Sequence, residues 1–238
     1  MVSLLSEIVS ETICTSEMEL GAEPDAFFPG EAAIVERAIQ KRRHEFQMGR
    51  SCARRALGKL GVEPVALLSN EDRSPCWPSG VVGSITHTGG TREGWCGAAV
   101  GKAQAWVGIG IDAELRSPLN RELWSRVLRP SEVHFLNGLP NLEAGLLAKI
   151  FFSAKEAFYK CQYPNTFTFL GFQAVQLVFD VARAEFEAEL MLAELPLDTD
   201  ARSLQLLAAI PRLVGRYAST PELILTSVCW AKSGDLSG

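Results

Sequence analysis

The chain lacks most of what would mark a secreted, membrane-spanning or zinc-dependent protein. Nowhere in its 238 residues is there a run near the roughly 20 consecutive apolar positions that a bilayer span needs. The first residues show no basic stretch followed by an apolar core, so a secretory leader is not expected. Six cysteines (Cys14, Cys52, Cys76, Cys96, Cys161, Cys229) include no C-x-x-C pair, which favours reduced thiols in the cytoplasm. With three histidines in all and no histidine or cysteine cluster, zinc is a poor candidate. A formal net charge of -5 argues against a general nucleic-acid binder. What remains is a soluble chain whose 47% hydrophobic content is enough for a proper core.

The positive charges are unevenly placed. Arg37, Lys41, Arg42, Arg43, Arg50, Arg54, Arg55 and Lys59 face only Glu45 among the acids of their stretch. Apolar residues Ile34, Ala38, Ile39, Phe46, Ala53, Leu57 and Leu60 repeat there at helical spacing and Gly61 follows as a stop, giving one long helix or two consecutive ones. Steps of four put Arg42, Phe46, Arg50 and Arg54 on one slowly drifting stripe. Such a row is either a solvated face or a set of guanidinium forks for phosphate oxygens.

Residues 1–30 have no period clear enough to assign. Ser69 to Gly80 is a loop by composition, and Val81 to His87 reads as a strand ending in Thr86-His87-Thr88-Gly89-Gly90, where the glycines permit close approach to a ligand. Trp95 to Val100 and Trp106 to Ala113 read as two strands joined as a hairpin or meander around Gly101-Lys102. Alternation then puts Asp112 and Glu114 on the same side, either at a solvated strand end or around a divalent cation. Hard oxygen donors favour Mg²⁺ there. A connector from Leu115 to Asn120 divides the chain into an N-terminal half, 1–117, and a C-terminal half, 118–238. Short helices are expected at 121–128 and 131–136, and a long one at 142–163. Extended segments follow at 166–180 and 183–192, an ambiguous stretch at 201–210, and a closing hairpin at 213–218 and 223–230. Each half thus combines helix with a group of strands, an α+β arrangement without a direct sequence repeat. On the long helix Phe152, Glu156 and Lys160 share one stripe and Lys155 with Tyr159 the next, so Glu156 and Lys160 form either an i,i+4 surface pair or part of a site.

Four stretches occur in order: Gly49-Arg50-Ser51-Cys52-Ala53-Arg54-Arg55-Ala56-Leu57, Pro75-Cys76-Trp77-Pro78-Ser79-Gly80-Val81-Val82-Gly83-Ser84-Ile85-Thr86-His87, Gly108-Ile109-Gly110-Ile111-Asp112-Ala113-Glu114, and Phe152-Ser153-Ala154-Lys155-Glu156-Ala157-Phe158-Tyr159-Lys160. Together, over residues 31 to 230, they resemble the 4'-phosphopantetheinyl transferases, in particular the branch like the enterobactin-synthase transferase. That resemblance implies two similar α+β halves in pseudo-twofold relation, a monomer built as a pseudo-dimer, with coenzyme A in the cleft between them. It implies transfer of the phosphopantetheine arm of coenzyme A to a serine of an acyl, polyketide or peptidyl carrier protein, leaving adenosine 3',5'-bisphosphate. By the same resemblance Asp112, Glu114 and Glu156 hold Mg²⁺, with Mn²⁺ as the alternative. Thr86, His87 and Arg50 hold the 3'-phosphate with help from Arg42, while Arg73 and the Ser69 to Asp72 loop lie along the adenosine. Lys155 and Lys160 contact the pyrophosphate. The catalytic group is Glu156, Lys160 and His87, with either Glu156 or a metal-bound water taking the serine proton. Two positions depart from the pattern: Phe152 stands where many relatives have tryptophan, and Asn70-Glu71-Asp72-Arg73 stands where some carry lysines. Two other readings are a non-catalytic coenzyme A-binding or carrier-binding module, and an RNA-binding domain. The latter has charge on the basic helix but no interleaved aromatic platform there.

Overall fold

The structure is a computed structural model and describes residues 3–19, 21–89, 94–196 and 199–232. The first half opens with a short helix α1 (Leu4–Ile8) and an edge strand β1 (Cys14–Glu19), both within the stretch whose sequence carries no clear period. The expected basic helical run breaks into α2 (Glu31–Ile34) and α3 (Gln40–Lys59). Strands β2 (Val81–Gly89) and β3 (Gly94–Lys102) follow, and then β4 (Trp106–Leu115), which precedes the boundary expected after residue 117 but by its sheet belongs with the second half; Gly90 of the glycine pair lies outside the described residues.

In the second half, α4 (Trp124–Val127) and α5 (Pro130–Asn137) lead into the long helix α6 (Asn141–Thr166). After it come β5 (Val175–Asp180), β6 (Glu185–Leu190), α7 (Ala201–Ala208) and the hairpin β7 (Leu213–Ser219) and β8 (Leu223–Ala231). The extended segment expected from Thr166 therefore starts only at Val175, and the ambiguous stretch after Ala201 is a helix whose first turn is capped by Asp200 Oδ1, accepting from the Arg202 and Ser203 amides at 2.9 and 3.0 Å.

Two sheets result, ordered β1-β3-β2 and β4-β8-β7-β6-β5. The hairpin expected between β3 and β4 is not formed. Strand β3 is flanked on both sides by β1 and β2, so β4 crosses into the second sheet and pairs with β8, Asp112 lying opposite Thr226. The ring of Trp106 fills the space over Gly101 at this crossing. Where β2 and β4 run side by side, side chains replace a ladder: Ile111 N–H donates to Ser84 Oγ and Ala113 N–H to Thr86 Oγ1, each at 3.2 Å.

The two halves share one plan. In each, a strand and a long helix precede a hairpin, with β5, β6 and α7 inserted before the hairpin in the second half, and that first strand pairs with the second strand of the hairpin: β1 with β3, β4 with β8. Each long helix covers its own sheet. Buried Ala148, Phe151, Ala154, Phe158 and Cys161 of α6 recur at helical spacing and pack with Leu177, Phe186, Leu213 and Val228. On α3, buried Met48, Cys52, Ala56 and Leu57 pack with Cys96, Ala98 and Val100 of β3. Trp77 packs against this cluster, while Trp95 lies in a separate one with Leu5, Ile8, Ile109 and Ile111. The glycines of Gly108-Ile109-Gly110 let β4 lie against α6, since a Cβ at either would collide with the carbonyl of Cys161 or Ala157. That close approach brings Asp112 under the face of α6 that carries Ser153 and Lys160.

A buried brace recurs in both halves. Glu31, fully buried at the start of α2, receives Arg54 Nη1 at 2.7 and 2.8 Å, the Phe28 amide at 2.9 Å and the Leu67 amide at 2.9 Å. Glu132 in α5 receives Lys155 Nζ at 2.7 Å, the Arg129 amide at 2.7 Å and the Leu177 amide at 2.8 Å. In both braces acid and cation are 23 residues apart, and the first amide comes from three residues before the acid.

Candidate active site

The site lies where β2, β4 and α6 meet. Asp112, 6% exposed, is fixed at both oxygens. Its Oδ1 receives Lys160 Nζ at 2.7 Å and the Thr86 hydroxyl at 3.3 Å, and its Oδ2 receives the Ser153 hydroxyl at 2.8 Å. Ser153 lies 2.9 Å from Thr226 Oγ1; since the serine proton points to Asp112, Thr226 is the donor in that contact. Lys160 Nζ also reaches the Ile111 carbonyl at 3.2 Å and Thr86 Oγ1 at 3.3 Å. Of the two readings of Glu156 and Lys160, the i,i+4 pair is not made: Lys160 turns to Asp112, and among the described residues Glu156 makes no hydrogen bond or ion pair. Burial, then the charge of Asp112, raises the Glu156 pKa, with Lys160 opposing and Glu114 adding.

Glu114 faces the same side as Asp112 and is bound by Lys149 Nζ at 3.2 Å. Burial first and Asp112 second raise its pKa, while Lys149 lowers it. Beside Glu156 opens an apolar pocket of about 120 Å³, bounded by Tyr159, Phe169, Leu170, Phe172 and Val175. Tyr159 is pushed up to about 12 by burial, with Tyr163, Glu156 and Asp72 adding to the shift. Asp72 sits in the loop before Pro75, so this loop of the first half leans toward the same helix.

Other expected residues separate into three groups. Arg42 and His87 meet at 3.1 Å between Nη1 and Nε2, with Glu45 Oε2 at 3.6 Å from the arginine and 3.9 Å from the imidazole. Burial is the first cause that lowers the His87 pKa, and Glu45 opposes it. Arg73 is exposed at the tip of its loop with φ of 69°, a left-handed backbone held by Asn70 and Asp72 contacts to Ser74. Arg50 is buried: its Nε donates to the Leu67 carbonyl at 2.6 Å and its Nη2 to Ser69 Oγ at 3.0 Å, and the guanidinium lies 4.2 Å over Phe46. Desolvation brings its pKa to about 10. It ties the Leu67 to Ser69 segment to α3, and that is its place in this structure.

Two expectations change. Lys155 cannot face a pyrophosphate as it stands, because its side chain is 1% exposed and its three ammonium hydrogens go to Glu132, the Val127 carbonyl at 2.9 Å and the Phe172 carbonyl at 3.0 Å. The Thr86 hydroxyl, 3% exposed, is spent between Ala113, Asp112 and Lys160 and knits the two halves together, where a phosphate contact was expected. Most of the basic stretch is likewise occupied internally: Arg54 by Glu31, Arg55 by Asp25 at 2.8 Å and Lys59 by the Thr15 carbonyl at 2.7 Å. Lys149, Ser153, Thr226 and Glu132 were not singled out by sequence; the last three lack a signature because only tertiary approach gives them partners. The residue step from Lys149 to Phe152 and Glu156 on one helix face was the one available signal for Lys149.

Among the described residues no three His, Cys, Asp or Glu side chains stand close enough together to grip a metal ion, and no helix is long and apolar enough to cross a membrane. The donor chemistry nonetheless suits a hard divalent cation: three carboxylates, with the charge of Asp112 raising the pKa of both Glu114 and Glu156, and with Asp112 and Glu114 each already facing an ammonium group.

Comparison with known proteins finds relatives over most of the chain. Residues 30–100 match the 4'-phosphopantetheinyl transferase N-terminal domain, and residues 108–206 match the 4'-phosphopantetheinyl transferase superfamily. The 4'-phosphopantetheinyl transferase Svp of Streptomyces mobaraensis is 39% identical over 86% of this chain and 78% of its own length. PptT of Mycobacterium tuberculosis, also a 4'-phosphopantetheinyl transferase, is 37% identical over 75% of this chain and 76% of its own. Enterobactin synthase component D of Escherichia coli K12 is 32% identical over 64% of this chain and 71% of its own. The chain that positions Asp112, Glu114 and Glu156 in this way belongs to the 4'-phosphopantetheinyl transferase superfamily.

Proposed function

We propose that this enzyme moves the 4'-phosphopantetheine arm of coenzyme A to the serine of an acyl, polyketide or peptidyl carrier protein, with Glu156 as the proton acceptor. The observation that carries the reading is Glu156 itself: a carboxylate with a raised pKa and no direct partner among the described residues, set between Asp112 and an apolar pocket. A base matched to neutral pH needs such a shift, and a nucleophilic hydroxyl brought into the pocket mouth comes within its reach. Asp112, Glu114 and Glu156 would hold Mg²⁺. Bound there, the ion would neutralise charge on the phosphoryl oxygens.

Lys160 supplies a second positive charge on the same helix face, free to exchange Asp112 for a phosphate oxygen. Arg42 and His87, at the far side of β2, are suited to a second phosphate such as the 3'-phosphate, and Arg73 to the adenosine side of the cleft. Phosphoryl transfer asks little more of a protein than this positioning and charge compensation. A monomer in the cytoplasm fits the internal duplication, since one chain supplies both halves of the cleft.

Incubating the protein with coenzyme A, Mg²⁺ and apo forms of a fatty-acid, a polyketide and a nonribosomal-peptide carrier, then weighing the carriers, tests the proposal. A gain of one phosphopantetheine on at least one carrier is expected, and loss of that gain when Mg²⁺ is chelated. No gain on any of the three would refute it.

A further inference from the structure

Lys149 stands outside the four sequence motifs, yet it is the direct partner of Glu114. Its Nζ lies 3.2 Å from Glu114 Oε2, with the two side chains 15% and 25% exposed, so the pair is shielded but still reached by solvent. The same ammonium lies 5.5 Å from the centre of the Phe152 ring. That ring offers the cation a second seat when it leaves the carboxylate. The neighbouring acids have their own arrangement: Asp112 is bound by Lys160, and Glu156 has no ion pair among the described residues. Of the two lysines facing the carboxylates, Lys149 alone has no further hydrogen-bond partner given by the structure, whereas Lys160 is also held by Thr86 and the Ile111 carbonyl.

We propose that Lys149 is a resident counter-cation that occupies Glu114 until a divalent ion takes that carboxylate, and so sets how tightly the nucleotide-free enzyme binds the ion. This inference rests on Glu114 being a ligand of that ion. An ammonium competing for the same oxygens lowers the apparent affinity by the occupancy of the pair, and removing it should raise affinity by up to about fivefold, the upper end for a partly exposed pair. Until the ion binds, the Lys149 ammonium offsets the repulsion between Glu114 and Asp112.

The test is Mn²⁺ binding to nucleotide-free protein, followed by electron paramagnetic resonance, for wild type, Lys149→Met, Lys149→Arg and Glu114→Gln. Lys149→Met should bind Mn²⁺ more tightly than wild type, Lys149→Arg should bind as wild type does, and Glu114→Gln should bind more weakly. A purely structural lysine would not give tighter binding on removal. If Lys149→Met binds equally or more weakly while Glu114→Gln is impaired, the competition is overturned and the metal role of Glu114 stands. If Glu114→Gln binds as wild type does, the metal role of Glu114 falls and the inference falls with it.

Discussion

The two halves carry the same brace and put it to different use. Glu31 with Arg54 and Glu132 with Lys155 have matching separations and matching amide contacts, so Arg54 and Lys155 occupy equivalent turns of α3 and α6. One residue further on, α3 has Arg55 and α6 has Glu156; four beyond that, α3 has Lys59 and α6 has Lys160. Both lysines bond a carbonyl of their half's first strand, Lys59 that of Thr15 on β1 and Lys160 that of Ile111 on β4. The residue after that carbonyl is Ser16 in one strand and Asp112 in the other. The lysine is therefore part of the shared frame, and what sets the second half apart is the pair of acids at Asp112 and Glu156. In the first half the equivalent helix position, Arg55, is spent on Asp25.

The comparison can be broken most sharply at that equivalent pair. Glu156→Gln should lower carrier modification by about 10²–10⁴-fold, the usual range for loss of a general base. Arg55→Gln, the corresponding change in the first half, should leave the rate within about twofold. A large effect at Arg55, measured with the same carrier and coenzyme A, would show that the first half is more than a frame.

Next in size come the braces. Lys155→Met and Arg54→Met each strand a buried carboxylate and should cost about 3–5 kcal/mol in urea unfolding. If Lys155 serves only the brace, folded Lys155→Met protein should still bind coenzyme A with nearly the wild-type constant in calorimetry; a loss of tenfold or more would return it to the pyrophosphate.

The smallest effect is on pH dependence. The folded-state pKa of Glu156 is raised above 4.5, so the folded protein holds that proton more firmly than the unfolded chain does. Stability from this group is full below the unfolded pKa and is lost as pH rises through the folded value. Glu156→Gln has no such loss. Metal-free Glu156→Gln should therefore melt higher than wild type at neutral pH, with the difference shrinking below about pH 4.5, and the reverse order would contradict the burial of this carboxyl.

Long periodic segments were legible because their burial repeats locally. α6, expected over 142–163, runs Asn141–Thr166, and the alternation that put Asp112 and Glu114 on one side of a strand holds. Strand β1 was not legible: Cys-Thr-Ser-Glu-Met-Glu has little apolar alternation, and its place is set by pairing with β3 across the chain. The false hairpin has the same origin, since sequence proximity favoured β3 with β4 while β1 and β2 occupy both edges of β3. In the site, residue types announced the acids and Lys160. Which partner each side chain takes was hidden, because Lys160 chooses between Glu156 on its own helix and Asp112 on a strand brought close by two glycines.

The seam between β2 and β4 gives the cleft a clock of its own. At this seam the amide hydrogens of Ile111 and Ala113 end on the hydroxyls of Ser84 and Thr86. Small rotations of one half against the other would release these two amides while every ladder around them stays closed. Their deuterium uptake would time the breathing of the cleft, separately from unfolding of either half.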